Sequence, residues 1–348
     1  MSSIRYIINS LAKKHSSGRF HPESPHRIEV MEKWIKSQSN NKITLEFSDE
    51  SAEIDSILSV HTNDHYNLIK KTKNYDSHFY FVPDTAANSY SFDASMQAVH
   101  VGKKAVWESS FEESIFALTR LPGHHATRQG PQGFCLFNNI AISTELAIRQ
   151  KKYRRSAIID FDNHFGNGTA YIHEENPDIL YISTHADPRI CYPGCGFYDE
   201  IGKKDGRGFN IPIPLGYKAS EIDLQLAFES LIKPIIYQFK PEFLAISAGF
   251  DAYERDPLGV LGVTLEGFGY IGNQMREITN NLRIPFANFL EGGYNLDRLS
   301  DLLAAYTNPL IGNENEKYIL DSSLHPKSET KITIQKSKDL LKEYWSLN

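Results

Sequence analysis

The sequence predicts an α/β fold: a single domain on a mainly parallel, multi-stranded sheet flanked by helices. Three observations predict it. Short, continuous apolar runs recur along the 348 residues, as in strands buried on both faces of a parallel sheet. Helix-period segments separate them. Each run ends in polar residues able to do chemistry, and open α/β sheets bind ligands beyond the carboxyl ends of their strands.

The elements follow in chain order. "SIFALTR" is a strand ending at Arg120. "NNIAISTELAIRQKK" is a helix with an Asn cap and Lys/Arg in its last turn. "SAIID" is a strand ending at Asp160, and "DILYISTH" one ending at His185. "KASEIDLQLAFESLIKPIIYQFK" is a helix opening near Ser220. "EFLAISAGFD" is a strand ending at Asp251. "TLEGFGYIGNQMREITNNLR" is a helix whose start signals are Thr264 and Glu266, and "RIPFANFLEGGY" is a strand ending at Tyr294. The tail from about Gly312 is polar, then closes with "IQKSKDLLKEYWSLN", an amphipathic helix expected to pack on the domain. "PGHH", "DFDNH", "STH", "AGFD" and "EGGY" should therefore converge on one edge of the sheet.

Composition narrows the function. Hydrophobic residues make up 41% and charged residues 23%, as in ordinary globular proteins. A net charge of −6 gives no general pull toward nucleic acid or anionic membrane, and would not repel a cationic substrate. No apolar run reaches the roughly 18 residues of a membrane span. The N-terminus lacks the apolar core of a secretory signal. Cys135, Cys191 and Cys195 form no disulfide framework, and no second Cys/His pair completes a zinc knuckle around "CYPGC". They read as reduced thiols in a cytoplasmic protein.

The chemistry concentrates in "DFDNHFGNGT", residues 160–169. In an extended chain, Asp160, Asp162 and His164 share a face. With Asp251 arriving from another strand end, two carboxylates and an imidazole make a three-ligand set with an open position for water, as a catalytic zinc needs. Three acids around one zinc are too many, so Asp160 takes another role. The structural alternative is a set of caps and a packed ring. The tandem His124–His125 in "LPGHHATRQG" supplies candidate general acid/base groups. Asp160 and Asn167 are spare acceptors to orient them, and a carboxylate raises a histidine's pKa more than an amide does. Tyr294, beside two glycines, can donate to a developing oxyanion. Together these parts describe hydrolysis of an unactivated amide.

From about His15 to Leu310 the chain resembles the zinc-dependent histone deacetylase and acetylpolyamine amidohydrolase superfamily, in its class II-like, prokaryotic-type form. The matching motifs are "HSSGRFHPESPHR", "RLPGHHATRQGPQGFCLFNN", "DFDNHFGNGT", "YISTHADPRICYPGCGFYDEIG", "SAGFDAYERDPLG" and "LEGGYN". The resemblance implies one arginase-like α/β domain over residues 1–348, with the tail from about 312 packing on it. It implies Asp162, His164 and Asp251 as zinc ligands and His124 and His125 as the catalytic pair. Asp160 and Asn167 are implied as their partners, and Tyr294 as the oxyanion donor. Phe134 and Tyr192 would wall a narrow acyl tunnel, and the Gly133 carbonyl would contact substrate. A potassium ion is implied too, on main-chain oxygens of Asp160, Asp162 and His164, the Ser183 hydroxyl and the Thr184 carbonyl. Such a cation would lower the His124 pKa. Phe165 and Leu121 depart from the common pattern, where many relatives have histidine and proline, but neither is a ligand or catalytic group.

The resemblance implies removal of acetyl or acyl groups from acylated primary amines, with release of acetate. The partners are acetylated small-molecule amines or acyl-lysine proteins; a homo-oligomer is compatible with the sequence. Iron(II) could fill the zinc ligands. Leu258 stands where one polyamine-selective branch has Glu, whereas Glu23, Asp84 and Asp93 could still supply acids at the rim. Acyl-lysine or broad deacylation is therefore put ahead of acetylpolyamine selectivity. An arginase-type ureohydrolase would need a second metal and DAHxD-like runs, which are missing. A silent acetyl-lysine reader would not need Tyr294 and a complete ligand triad.

Overall fold

The computed structural model describes residues 3–39, 41–313, 318, 320 and 323–347. Its strands, in chain order, are β1 (Ser3–Asn9), β2 (Ile43–Ser48), β3 (Phe79–Val82), β4 (Thr85–Ala87) and β5 (Glu113–Ala117). They continue as β6 (Ser156–Asp160), β7 (Ile179–Ala186), β8 (Asn210–Leu215), β9 (Phe243–Ala248) and β10 (Phe286–Leu290). Eight form one sheet in the order β2-β1-β5-β10-β9-β6-β7-β8. Every pairing in it is parallel. The α/β expectation holds. β3 and β4 form a separate antiparallel hairpin.

The five strands expected from sequence are β5, β10, β9, β6 and β7, the contiguous centre of the sheet. Those not expected are β1, β2 and β8, toward its edges. β2, "ITLEFS", is half-exposed and carries Glu46. β8, "NIPIPL", carries two prolines, which only an edge strand tolerates because a proline has no N–H for a ladder. The expected strand ends also ran long. β5 stops at Ala117, β9 at Ala248 and β10 at Leu290, so Arg120, Asp251 and Tyr294 stand on loops beyond them.

The central strands are apolar without a break because both faces are covered. Along β6, Ala157 and Ile159 face one core with Leu180, Ile182, Leu244 and Ile246. Ile158 faces the other with Ile115, Tyr181, Ala245 and Phe289. This is the period-two alternation of a strand. Each such side chain contributes about 1.5–3 kcal/mol by leaving water. The helices start where their caps predict. Asn138 accepts from the Ala141 N–H, Ser220 forms a capping box with Asp223, and Thr264 accepts from the Gly267 N–H. The helical segment after Ser220 widens into a π turn at Phe228–Ile232, just before Pro234, whose ring and missing N–H disfavour a regular turn there. The tail helix, Ser328–Leu341, packs near β8, and the buried Trp345 donates Nε1–H to the Gly208 carbonyl at 2.8 Å. Among the described residues no helix is long and apolar enough to cross a membrane.

Candidate active site

The loops after β5, β6, β9 and β10 meet at a cavity of about 330 Å³ at the carboxyl edge of the sheet. Its base is built by backbone chemistry. β6 ends at Asp160, and the following residues do not continue its pleat. Instead each carboxylate accepts an amide two residues on: Asp160 Oδ1 from Asp162 N at 3.1 Å, and Asp162 Oδ1 from His164 N at 2.8 Å. The shared strand face expected for Asp160, Asp162 and His164 is thus corrected to a turn. That turn sends Asp160 toward the histidine pair and leaves Asp162 beside His164.

Asp251 completes a group. His164 Nδ1 lies 3.2 Å from Asp162 Oδ1 and 3.0 Å from Asp251 Oδ2. One donor atom from each of the three residues lies within 4.8 Å of the others, the one such cluster among the described residues. Backbone amides hold the carboxylates in place. Gly292 N donates to Asp162 Oδ2 at 2.8 Å and Asn163 N to Asp251 Oδ1 at 2.9 Å. A Cβ on Gly292 would lie 2.2 Å from Asp251 Oδ2, so the first glycine of "EGGY" is required by this approach.

The charges favour a cation here. Burial opposes charge on His164, yet hydrogen bonds to Asp162 and Asp251 hold its pKa well above the usual range. Burial and the neighbouring Asp162 raise Asp251. Two oxygens and one nitrogen, pre-oriented by backbone donors, fit a divalent ion of the zinc type.

The histidine pair sits beside this group. His124 Nδ1 is 3.1 Å from Asp160 Oδ2, which also accepts the Tyr181 hydroxyl at 2.9 Å. His125 Nδ1 is 2.8 Å from Asn167 Oδ1. Asn167 Oδ1 can only accept, so His125 carries its proton on Nδ1 and keeps a lone pair on Nε2. The two rings titrate in opposite directions. Burial opposes charge on His124, but Asp162, Asp160 and Glu291 push it up to about 10. Burial and the charges of His124 and His164 hold His125 well below its usual range.

The remaining sequence candidates divide. Gly133, Phe134, Tyr192, Leu258, Asp84 and Tyr294 all line the cavity. The Phe134 ring meets Tyr294 edge-on at 5.8 Å, and the Tyr192 ring meets His125 at 5.0 Å. Gly133 O accepts from the Cys135 thiol at 3.3 Å. Ser183 is buried with its hydroxyl 2.9 Å from His185 Nδ1, and Thr184 is its buried neighbour.

Glu23 is corrected. It is no rim acid but a fully buried one. Arg120 grips it through Nε at 2.7 Å and a terminal nitrogen at 2.9 Å, and Arg27 adds a contact at 3.5 Å. Asp93 is also absent from the rim; it pairs with Lys73 at 2.9 Å. Asp84 alone of the three lines the cavity, from the β3–β4 turn.

Sequence reasoning missed a supporting layer. Glu291 Oε2 accepts from Gly123 N at 2.7 Å and His124 N at 3.1 Å. Arg27 donates to the Gly293 carbonyl at 2.7 Å and lies 4.9 Å from the Tyr294 ring centre. Asn163 Oδ1 accepts from Val260 N and Leu261 N. Asp256 accepts from three backbone amides. Glu291 and Asp256 lie inside "LEGGYN" and "DAYERDPLG", so an acid among glycines and prolines was the available signal.

Fold and site together define a deacetylase, a hydrolase of amide bonds. The histone deacetylase domain matches residues 21–310, so the chain belongs to the histone deacetylase family. Histone deacetylase 14, chloroplastic, of Arabidopsis thaliana is 32% identical, covering 98% of this chain and 85% of that protein. A probable deacetylase of Methanothermobacter thermautotrophicus is 36% identical over 76% of this chain and 78% of its own. A crystal structure of the HDA15 HD domain superposes with a TM-score of 0.88 at 30% identity, covering 99% of this chain and 95% of that one.

Proposed function

We propose that the chain is a zinc-dependent amidohydrolase that removes acetyl or acyl groups from primary amines, with acyl-lysine as its first substrate class. The observation that carries this is the pair of histidines held by different acceptors, His124 by Asp160 and His125 by Asn167, beside Asp162, His164 and Asp251. A zinc ion on those three residues would supply Lewis acidity, polarising the carbonyl and acidifying water. His125 takes the water's proton on its free Nε2. Tyr294, whose hydroxyl has no hydrogen bond to another described residue, donates to the developing oxyanion. His124, charged beside Asp160, helps deliver a proton to the leaving amine. A potassium ion on Ser183, Thr184 and the main chain of Asp160, Asp162 and His164 would bring the His124 pKa down.

The cavity supports the substrate class. Leu258, Val260, Ile190 and Phe134 give its walls an apolar character suited to a lysine stem and acyl chain. Asp84 favours a second reading, since its carboxylate could attract the distant ammonium of an acetylpolyamine. Three unpaired thiols support a reducing compartment, the cytoplasm. A screen of acetyl-lysine peptides against acetylputrescine and acetylspermidine, read as acetate released, tests the proposal. Acetyl-lysine should turn over with the higher kcat/KM. No hydrolysis of any member by metal-loaded protein would reject the activity.

A further inference from the structure

Tyr294 follows two glycines, and Gly293 has φ +114°, so the chain entering Tyr294 has little stiffness of its own. Its hydroxyl is unheld among the described residues. Phe134 and Arg27 pack against the ring, and one carboxyl group holds its backbone. Asp256 is 8% exposed and stands five residues after Asp251 in sequence. Its Oδ2 accepts from Tyr294 N at 2.7 Å and from Asn295 N at 3.1 Å. Its Oδ1 accepts from Leu258 N at 2.9 Å. Asn295 returns the contact, donating Nδ2–H to the Arg255 carbonyl at 2.7 Å.

One carboxylate thus clasps the loop of the tyrosine to the loop of the cavity wall. All three amides meet one carboxyl group, so the two loops cannot part without breaking those bonds. We infer that Asp256 is a positioning residue that locks Tyr294 and Leu258 into one unit, so that the tyrosine hydroxyl and the substrate-facing wall keep a fixed relation. Arg27 holds the same loop from its other side, through the Gly293 carbonyl. The inference rests on the reading of Tyr294 as oxyanion donor.

The test uses full-length, zinc-loaded protein and an acetyl-lysine peptide. Asp256→Asn keeps the size and leaves a single acceptor oxygen. In hydrogen exchange, the amides of Leu258, Tyr294 and Asn295 should speed up together. Their protection unchanged would overturn the clasp, whatever the kinetics. The kcat should fall between about 10- and 100-fold, as expected for a misplacement of about an ångström, with KM within about 3-fold. Zinc content should stay at the wild-type level. In a Tyr294→Phe background the same substitution should cost less than about 3-fold, because the group it positions is gone. Full multiplication of the two losses, or loss of zinc, would overturn the positioning role. Near-wild-type activity of Tyr294→Phe alone would instead reject the oxyanion reading and leave the exchange result to judge the clasp. If Asp256→Asn does not fold, Asn295→Ala removes only the return contact. It should show a smaller fall in kcat, again non-additive with Tyr294→Phe, and additivity there would overturn the inference.

Discussion

Gly133→Ala tests whether His125 must stand where it does. Gly133 has φ +56°, and a Cβ there would lie 2.4, 2.6 and 2.8 Å from Cδ2, Cγ and Cβ of His125. Carbon atoms in contact prefer about 3.5–4.0 Å, so ring and loop must separate by about 1 Å. Two costs follow. The left-handed backbone costs alanine roughly 1–2 kcal/mol, which lowers Tm by only a few degrees in a chain of this size. The larger cost is functional. Moving the ring breaks its 2.8 Å bond to Asn167, and with it the tautomer that leaves Nε2 free. Misplacing a reacting group by about 1 Å costs about 10²-fold, and losing a general base costs 10²- to 10⁴-fold. The expected result is therefore a kcat down at least about 100-fold, with the protein folded and its zinc retained, since none of the ligands is touched. Acetate release, calorimetric Tm and metal content measure the three. A folded variant within a few-fold of wild type would refute the assignment of His125 as base.

Further predictions address the oxyanion, the rim and acid stability. Tyr294→Phe removes only the hydroxyl, and kcat should fall roughly 10²- to 10³-fold with KM little changed; steady-state kinetics within a few-fold of wild type would leave the carbonyl's polarisation to the metal alone. Leu258→Glu should raise kcat/KM for acetylspermidine relative to a neutral acetyl-lysine substrate by at most several-fold, less at high salt, since a solvated charge pair is worth about 1 kcal/mol or less. A ratio indifferent to salt would count against a direct charge effect at the rim. His65 and His173 are buried, and burial lowers each pKa to about 4. Neither ring nitrogen of His173 has a hydrogen-bond partner, although Nδ1 lies 3.7 Å from a Glu145 carboxylate oxygen, and His65 Nδ1 has no hydrogen bond. Their folded values lie below the unfolded value of about 6.5, so the unfolded chain binds more protons as pH falls. Stability present above pH about 6.5 should drain away between there and about pH 4. Denaturant melts at pH 7 and 5 check this, and equal stabilities would contradict it.

What the sequence made legible follows the physics of each element. The central strands are buried on both faces, so they read as unbroken apolar runs. β2 and β8 border the sheet, so one tolerates Glu46 and the other Pro212 and Pro214. The positions of His124, His125, Asp160, Asp162, His164, Asp251 and Tyr294 at one edge followed from strand ends, a rule of topology. What failed needed tertiary knowledge. Glu23 looks like a surface acid in "HPESPHR", because nothing local shows that Arg120, 97 residues on, will reach it. Asp256 and Glu291 were hidden for the same reason. Apart from Leu258 N, two residues after Asp256, their partners are backbone amides from distant loops, and an amide leaves no mark in the sequence. The turn at Asp160–His164 differs from the expected strand face because each carboxylate captured the amide two residues later.

Hydrolysis of an acyl amide that depends on a metal held by Asp162, His164 and Asp251 is open to a single titration. Acetate release from an acetyl-lysine peptide is followed on exhaustively chelated protein as zinc is added back. Activity should be absent after chelation and return linearly, with its break at about one zinc per chain. Asp251→Ala should show no such break. Full activity in the chelated protein, or an unchanged break in Asp251→Ala, would contradict the claim.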